Sequence, residues 1–98
     1  MILGILKENS GDKRVSLLPE QAAVLVAKQV SVIVETGAGD AAYAADSTYT
    51  EKNVSVKDRS TVLSTADLVL SINPLSASEM GQLKPGATIL EPTSGNTG

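Results

Sequence analysis

Short runs of aliphatic, often β-branched residues recur along the chain, and longer segments of mixed polarity separate them. The clearest run is Asp67-Leu68-Val69-Leu70-Ser71-Ile72, and the others occupy residues 2–6, 30–35, 53–56 and 87–90. Strands that are buried on both faces of a parallel sheet read as such nearly continuous apolar runs. Strands that alternate with helical segments are typical of an open α/β sheet.

The intervening segments carry the signals that begin helices. Pro19 suits the first helical position, and Asp46 is a predicted N-cap. Ser76 is followed three residues later by Glu79, which is the spacing of a capping box. We predict helices that begin at these points and another over residues 58–64. The fold class is therefore α/β, an open and mostly parallel sheet with flanking helices, flavodoxin-like or Rossmann-like and truncated.

The composition excludes several kinds of chemistry. The 98 residues include no His and no Cys, so the chain cannot form a zinc site of the usual N/S type or a Ser-His-Asp triad. Eight basic against eleven acidic residues leave no basic stripe for nucleic acid. The apolar runs are shorter than the roughly 20 residues that span a bilayer, and the start lacks the pattern of a signal peptide. We expect a cytoplasmic domain.

Two polar side chains follow predicted strands, at the ends where ligands of open α/β sheets bind. Arg14 comes after the first strand, and a guanidinium there is able to hold a carboxylate or phosphate in bidentate fashion; the alternative is a solvated arginine on a loop. Asn73 comes after residues 67–72 and either bonds a ligand or makes a turn before Pro74. Residues 36–42 satisfy a G-x-G-x-x-A string, but no firm helix start follows, so a tight turn is favoured.

Six segments occur in a fixed order with compatible spacing: Met1-Ile2-Leu3-Gly4-Ile5-Leu6-Lys7-Glu8, Arg14-Val15-Ser16-Leu17-Leu18-Pro19, Val34-Glu35-Thr36-Gly37-Ala38-Gly39, Asp46 to Tyr49, Ala66-Asp67-Leu68-Val69-Leu70, and Leu83-Lys84-Pro85-Gly86-Ala87-Thr88-Ile89. This pattern resembles the N-terminal domain shared by alanine dehydrogenase and the α subunit of the proton-translocating NAD(P) transhydrogenase. The resemblance covers residues 1–90.

Within that superfamily the resemblance is greater to transhydrogenase. Alanine dehydrogenases carry a substrate-contacting lysine near position 73, where this chain reads Ser71-Ile72-Asn73-Pro74. Arg14 matches the arginine that contacts pyruvate in alanine dehydrogenase. The resemblance implies a parent protein that transfers hydride between NAD(H) and NADP(H) and couples this transfer to proton translocation.

The resemblance also implies cofactors, partners and site residues. NAD would be bound mainly by a following NAD-binding domain, which this chain lacks, so we expect no cofactor and no catalysis for the chain alone. The parent would be a homodimer that works with membrane-embedded transhydrogenase subunits at the inner membrane. Arg14 and Asn73 are the predicted polar groups of the nicotinamide cleft, followed by Lys7 and Gln21.

The tail, residues 91–98, departs from this pattern. Glu91-Pro92-Thr93-Ser94-Gly95-Asn96-Thr97-Gly98 resembles the substrate loop of pyridoxal-phosphate cysteine synthases, and the sequence around Lys57 resembles their Schiff-base lysine. The spacing from Lys57 to the tail is too long for that family. A join at the shared Leu-Lys-Pro-Gly-x-Thr stretch, by recombination or sequence misassembly, would explain such a tail.

Three alternatives remain open at this point. The chain is instead part of an alanine or saccharopine dehydrogenase, with Arg14 holding the substrate carboxylate. It is part of a cysteine synthase-like pyridoxal-phosphate enzyme that uses Lys57. Or it is a non-enzymatic interaction module that associates through an exposed sheet edge.

Overall fold

The computed structural model describes residues 1–8, 17–39, 45–72 and 75–90. Five parallel strands form one sheet in the order β3-β2-β1-β4-β5. The strands are β1 (Ile2–Ile5), β2 (Ser31–Glu35), β3 (Ser55–Lys57), β4 (Leu68–Leu70) and β5 (Thr88–Leu90). The helices between them are α1 (Pro19–Ala27), α2 (Asp46–Glu51), α3 (Arg59–Thr65) and α4 (Ala77–Met80). The predicted α/β alternation is confirmed.

The strand order is that of a Rossmann sheet and not the 2-1-3-4-5 order of flavodoxin. The chain runs from β1 to β2 to β3 in one direction, then crosses back to β4 and β5 on the other side of β1. Because parallel crossovers are right-handed, α1 and α2 cover one face of the sheet and α3 covers the other. The fold is therefore a three-layer, Rossmann-like α/β structure.

The face below α1 and α2 has an aliphatic core with one buried aromatic ring. Leu3 and Ile5 of β1 point to this face with Val34 of β2, and Ala22 of α1 packs against them. Tyr49 of α2 is fully buried in the same cluster. Alternate residues of β1, β2 and β4 supply this face, as the period of two along a strand requires.

The opposite face packs α3 directly on β1. Val62, Leu63 and Ala66 are fully buried there. Gly4 is the point of closest approach, because an added Cβ would lie 2.8 Å from both the Val62 Cγ1 and the Ala66 Cβ atoms. A side chain at position 4 would thus force α3 away from the sheet.

The helix starts agree with the sequence signals at two positions and differ at one. Pro19 is the first residue of α1, and the Ser76–Glu79 capping box is present, with the Ser76 hydroxyl accepting from the Glu79 amide. Asp46 is not the N-cap of α2: Ala45 is, and the Asp46 Oδ1 atom accepts from the Gly37 amide at 2.9 Å. A nearby turn therefore provides the partner for the carboxylate.

A helix crosses a bilayer only if it is long and predominantly apolar. Among the helices of the described ranges, none is both long enough and apolar enough to cross a bilayer.

Candidate functional site

The crevice between β1 and β4 lies at the point where the strand order reverses. These two strands are paired neighbours, and the Leu6 amide continues the ladder by donating to the Leu70 carbonyl at 3.3 Å. The chain leaves β1 toward α1 on one face, whereas it leaves β4 toward α4, whose flanking residues pack on the other face. In open α/β sheets ligands bind outside the carboxyl ends of such strands.

Glu8 is a buried carboxylate at this crevice, with only 7% of its surface exposed. Its Oε2 atom accepts a hydrogen bond from the Ile72 amide at 2.9 Å. This bond joins the segment that leaves β1 to the segment that leaves β4. A buried carboxylate needs such donors, because its transfer from water is otherwise expensive. Glu8 was not among the residues predicted from the sequence, although a carboxylate two residues after the apolar run 2–6 was a usable signal.

Lys7 borders the same edge, and its backbone and side chain have different surroundings. Its amide donates to the Glu35 Oε1 atom at 2.8 Å, and its carbonyl accepts from the Arg59 guanidinium at 3.0 Å. The residue is exposed, and its ammonium group has no partner among the described residues. The structure therefore fixes the main chain of Lys7 and leaves its charge available to solvent.

Gln21 lies in the first turn of α1 and is exposed. Its side-chain Oε1 atom accepts a hydrogen bond from the Leu18 amide at 3.0 Å. This contact satisfies one of the free amides at the helix start, so Gln21 has a capping role within its own helix. Its predicted role in a ligand cleft stays a prediction.

Arg14 and Asn73 lie outside the described residues. Their positions in the chain nevertheless connect them to the crevice: Asn73 directly follows Ile72, and Arg14 lies in the connection that leaves β1 after Glu8. Their predicted contact with a ligand stays a prediction.

Arg59 is the centre of a charged network at this edge and was not among the residues predicted from the sequence. Its guanidinium donates through Nη1 to the Glu35 Oε1 atom at 2.7 Å and to the Lys7 carbonyl at 3.0 Å. Its Nε atom donates to the Glu79 Oε2 atom. Glu35 ends β2, Arg59 begins α3 and Glu79 belongs to α4, so one side chain connects three elements that are distant in sequence.

The network shifts the pKa values of Arg59 and Glu79. Partial burial lowers the pKa of the Arg59 guanidinium, but the hydrogen bonds and charges of Glu79 and Glu35 outweigh that effect and raise the pKa above its usual value. The Ser76 amide, and after it the Arg59 guanidinium, hold the pKa of the Glu79 carboxyl below its usual value. The Arg59 and Glu79 side chains are thus charged at neutral pH.

Another ion pair, separate from the Arg59 network, lies at the opposite, amino-terminal edge of the sheet. Asp67 forms a salt bridge with Lys84 and accepts a hydrogen bond from the Ile2 amide at 2.7 Å. The Lys84 ammonium, followed by the Ile2 amide, lowers the pKa of Asp67. Both side chains are more than a third exposed, so the contribution of this pair to stability is small.

A cavity of about 290 Å³ also lies at the amino-terminal edge. It opens between the starts of β2 and β3, and its polar lining comes from Gln29, Ser31, Asn53 and Ser55. Lys7 and Gln21, the two predicted site residues within the described ranges, do not line it. We therefore place the candidate site at the crevice, where the topology brings two strand ends together, and not at this cavity.

The structure also locates the glycine-containing stretch after β2 and Lys57. Gly37 has a φ of 78°, a conformation that favours glycine, and residues 36–39 form a turn after β2, as expected from the weak G-x-G-x-x-A signal. Lys57 ends β3 and is exposed. Its carbonyl accepts from the Thr36 amide at 2.9 Å.

The fold and the crevice together define a Rossmann-like domain whose polar edge lies at a topological switch point. Residues 4–94 match the family described as "Alanine dehydrogenase/PNT, N-terminal domain". The chain belongs to this family, which confirms the resemblance found in the sequence. The match overlaps the first four residues of the tail 91–98, and the tail's resemblance to cysteine synthases stays a prediction.

Two solved structures show the same relationship. The transhydrogenase from Sinorhizobium meliloti superimposes with a TM-score of 0.85 and 29% sequence identity, over 91% of this chain and 27% of that one. An L-alanine dehydrogenase superimposes with a TM-score of 0.74 and 28% identity, over 85% of this chain and 23% of that one. The chain thus spans about a quarter of the length of each.

Proposed function

We propose that this chain forms part of the N-terminal domain of a transhydrogenase-type protein and supplies one wall of a cleft for the nicotinamide ring. The observation that carries the proposal is the crevice at the switch point, where the Glu8 carboxylate binds the Ile72 amide at 2.9 Å. In the chain, Arg14 and Asn73 follow Glu8 and Ile72, respectively.

The similarity to the Sinorhizobium meliloti transhydrogenase supports this assignment over alanine dehydrogenase. Its TM-score is higher, 0.85 against 0.74, although the sequence identities are nearly equal. The sequence after β4 supports the same choice, because Asn73 stands where alanine dehydrogenases carry a lysine. An amide offers hydrogen bonds without a charge, which suits the uncharged carboxamide of a nicotinamide better than the carboxylate of an oxoacid.

In this proposal the chain's residues hold and orient, and the chemistry belongs to the whole protein. Arg14 and Lys7 provide positive charge beside the cleft, and Asn73 provides an amide. Hydride transfer needs a nicotinamide cofactor, which a following domain would bind. Coupling to proton translocation would take place in separate membrane-embedded subunits.

An NMR titration of the 98-residue chain with NADH tests the proposal. We expect a weak, saturable response of the backbone amides of Lys7, Glu8, Ser71 and Ile72, because one wall of the cleft supplies only part of the contacts. The amides of Ser31 and Ser55, at the opposite edge, serve as internal controls and should not respond.

A matched pair of variants sharpens this titration. Arg14→Gln should weaken the response, whereas Lys13→Gln, which removes the same charge one residue away, should leave it unchanged. A response confined to the cavity at the opposite edge, or none at the crevice, would contradict the proposal. The isolated chain should also fail to transfer hydride from NADH to an NADP analogue.

The similarity to L-alanine dehydrogenase favours a second candidate, an oxoacid-binding domain in which Arg14 holds the substrate carboxylate through a bidentate contact. Pyruvate in place of NADH distinguishes the two. If the crevice amides respond to pyruvate and not to NADH, the second candidate replaces the first.

A further inference from the structure

Arg59 connects both sides of the candidate crevice without belonging to either strand that forms it. On one side its guanidinium binds the Lys7 carbonyl, just after β1, together with Glu35 at the end of β2. On the other side it binds Glu79 of α4, the helix that follows β4. The lateral distance between these segments is therefore constrained by one side chain.

We propose that Arg59 is a positioning residue that sets the width of the crevice between the segments after β1 and β4. This inference rests on the proposed function and identifies the residue that holds its site in shape. Arg59 would act through Lys7 and α4 and would not itself contact the ligand.

The chemistry of the guanidinium suits this role. A planar guanidinium has several donors in a rigid arrangement and so holds more than one acceptor at fixed angles, whereas the Lys ammonium is a flexible point charge. Here it holds three acceptors, two carboxylates and a carbonyl. Substitution by Lys would keep the charge and lose the geometry.

The burial of the network distinguishes it from an ordinary surface ion pair. The side chains of Glu35 and Glu79 are 13% and 24% exposed, and that of Arg59 is 31% exposed. The Lys84–Asp67 pair at the opposite edge is exposed by 36% and 38%. Lys84 therefore supplies a matched control, since its loss removes one positive charge from an ion pair that is remote from the crevice.

The experiment repeats the NADH titration with Arg59→Gln, Arg59→Lys and Lys84→Gln, after urea unfolding has verified that each variant is folded. We expect both Arg59 variants to weaken the apparent affinity by about 2- to 30-fold, the range for residues that influence a site without contacting the ligand. Lys84→Gln should bind as the wild type does.

Each outcome decides the question. Wild-type affinity in Arg59→Gln, or restoration of that affinity by Arg59→Lys, overturns the positioning role and leaves the proposed function intact. A wild-type chain that does not respond to NADH overturns the proposed function and this inference with it. If the Arg59 variants do not fold, Glu79→Gln replaces them, because it leaves the Arg59–Glu35 contact in place. A weakened affinity for NADH then supports the positioning role, and wild-type affinity overturns it.

Discussion

Tyr49 of α2 is fully buried in the core that α1 and α2 cover, and its hydroxyl donates to the Leu17 carbonyl at 2.7 Å. Burial, with a smaller contribution from the charge of Asp46, raises the pKa of Tyr49 to about 12. The phenolate would be charged in an apolar layer, so the folded chain favours the neutral form.

This burial predicts the alkaline behaviour of the protein. In a Tyr43→Phe variant, which leaves Tyr49 as the only tyrosine, the phenolate absorbance should appear with a midpoint near pH 12. Because the folded pKa lies above the unfolded value of 10.0, stability is complete below pH 10 and is lost as the pH rises toward 12. One pKa unit corresponds to about 1.4 kcal/mol, so the loss should reach about 2–3 kcal/mol.

The same titration in urea provides the control, since the unfolded chain should ionise near pH 10. A midpoint near 10 in a chain that keeps its native circular dichroism would show that the phenol is accessible to water.

At Gly4 the absence of a side chain allows α3 to approach β1. Gly4→Ala should lower the free energy of unfolding by about 1–3 kcal/mol, as overpacking of a tight core does, because the new methyl would lie 2.8 Å from Val62 and Ala66 atoms. Urea denaturation measures the change.

Gly81→Ala is the matched control for this substitution. Gly81 has a helical φ of −68°, and its added Cβ would have no neighbour closer than 3.4 Å. The free energy of unfolding of the Gly81→Ala variant should therefore change little. An equal loss in both variants would show that α3 does not pack tightly on the sheet.

At the scale of elements, α4 depends on contacts outside its own four residues. It has four residues, too few to form a stable helix alone. The Ser76 hydroxyl accepts from the Glu79 amide, the Glu79 carboxylate accepts from the Ser76 amide at 3.0 Å, and the same carboxylate binds Arg59. The capping box thus also aims Glu79 at the guanidinium.

Ser76→Ala should therefore destabilise the chain by about 1 kcal/mol, the usual effect of losing an N-cap side chain. Ser78→Ala, an exposed position two residues further along the same helix, should change the stability by no more than about 0.5 kcal/mol. Urea denaturation of the pair gives the comparison, and equal stabilities would mean that the cap contributes nothing.

Elements such as these were predictable because their signals are local. A β-branched run, a proline at a helix start, and a serine three residues before a glutamate each act within a few residues of chain. The N-cap of α2 was wrong because Asp46 has an alternative partner, the Gly37 amide nine residues earlier, and local spacing does not show which partner is closer in space.

At the scale of the whole molecule, charged groups tie together distant segments at both edges of the sheet. Lys84 and the Ile2 amide hold the pKa of Asp67 below its usual value, and Ser76 and Arg59 do the same for Glu79. Folded carboxyls with lowered pKa values stabilise the protein above the unfolded pKa. That stabilisation is lost as the pH falls through the folded pKa.

Acid should therefore weaken the fold below about pH 4, near the unfolded pKa of Asp and Glu. The loss should be smaller in Lys84→Gln, because the ammonium is the largest cause of the Asp67 shift. Urea unfolding at neutral and acidic pH measures this difference. Lys52→Gln, at an exposed lysine, controls for net charge, and an identical acid loss in Lys84→Gln and wild type would contradict the assignment.

The sequence by itself determined the alternation of strands and helices, the α/β class and the family, because apolar periodicity, caps and short motifs are properties of neighbouring residues. Only the tertiary structure decided the strand order 3-2-1-4-5 and the contacts that follow from it. Glu8 meets Ile72 across 64 positions, and Arg59 meets Lys7 across 52. Such partners become neighbours only when the sheet forms, so no local pattern records them.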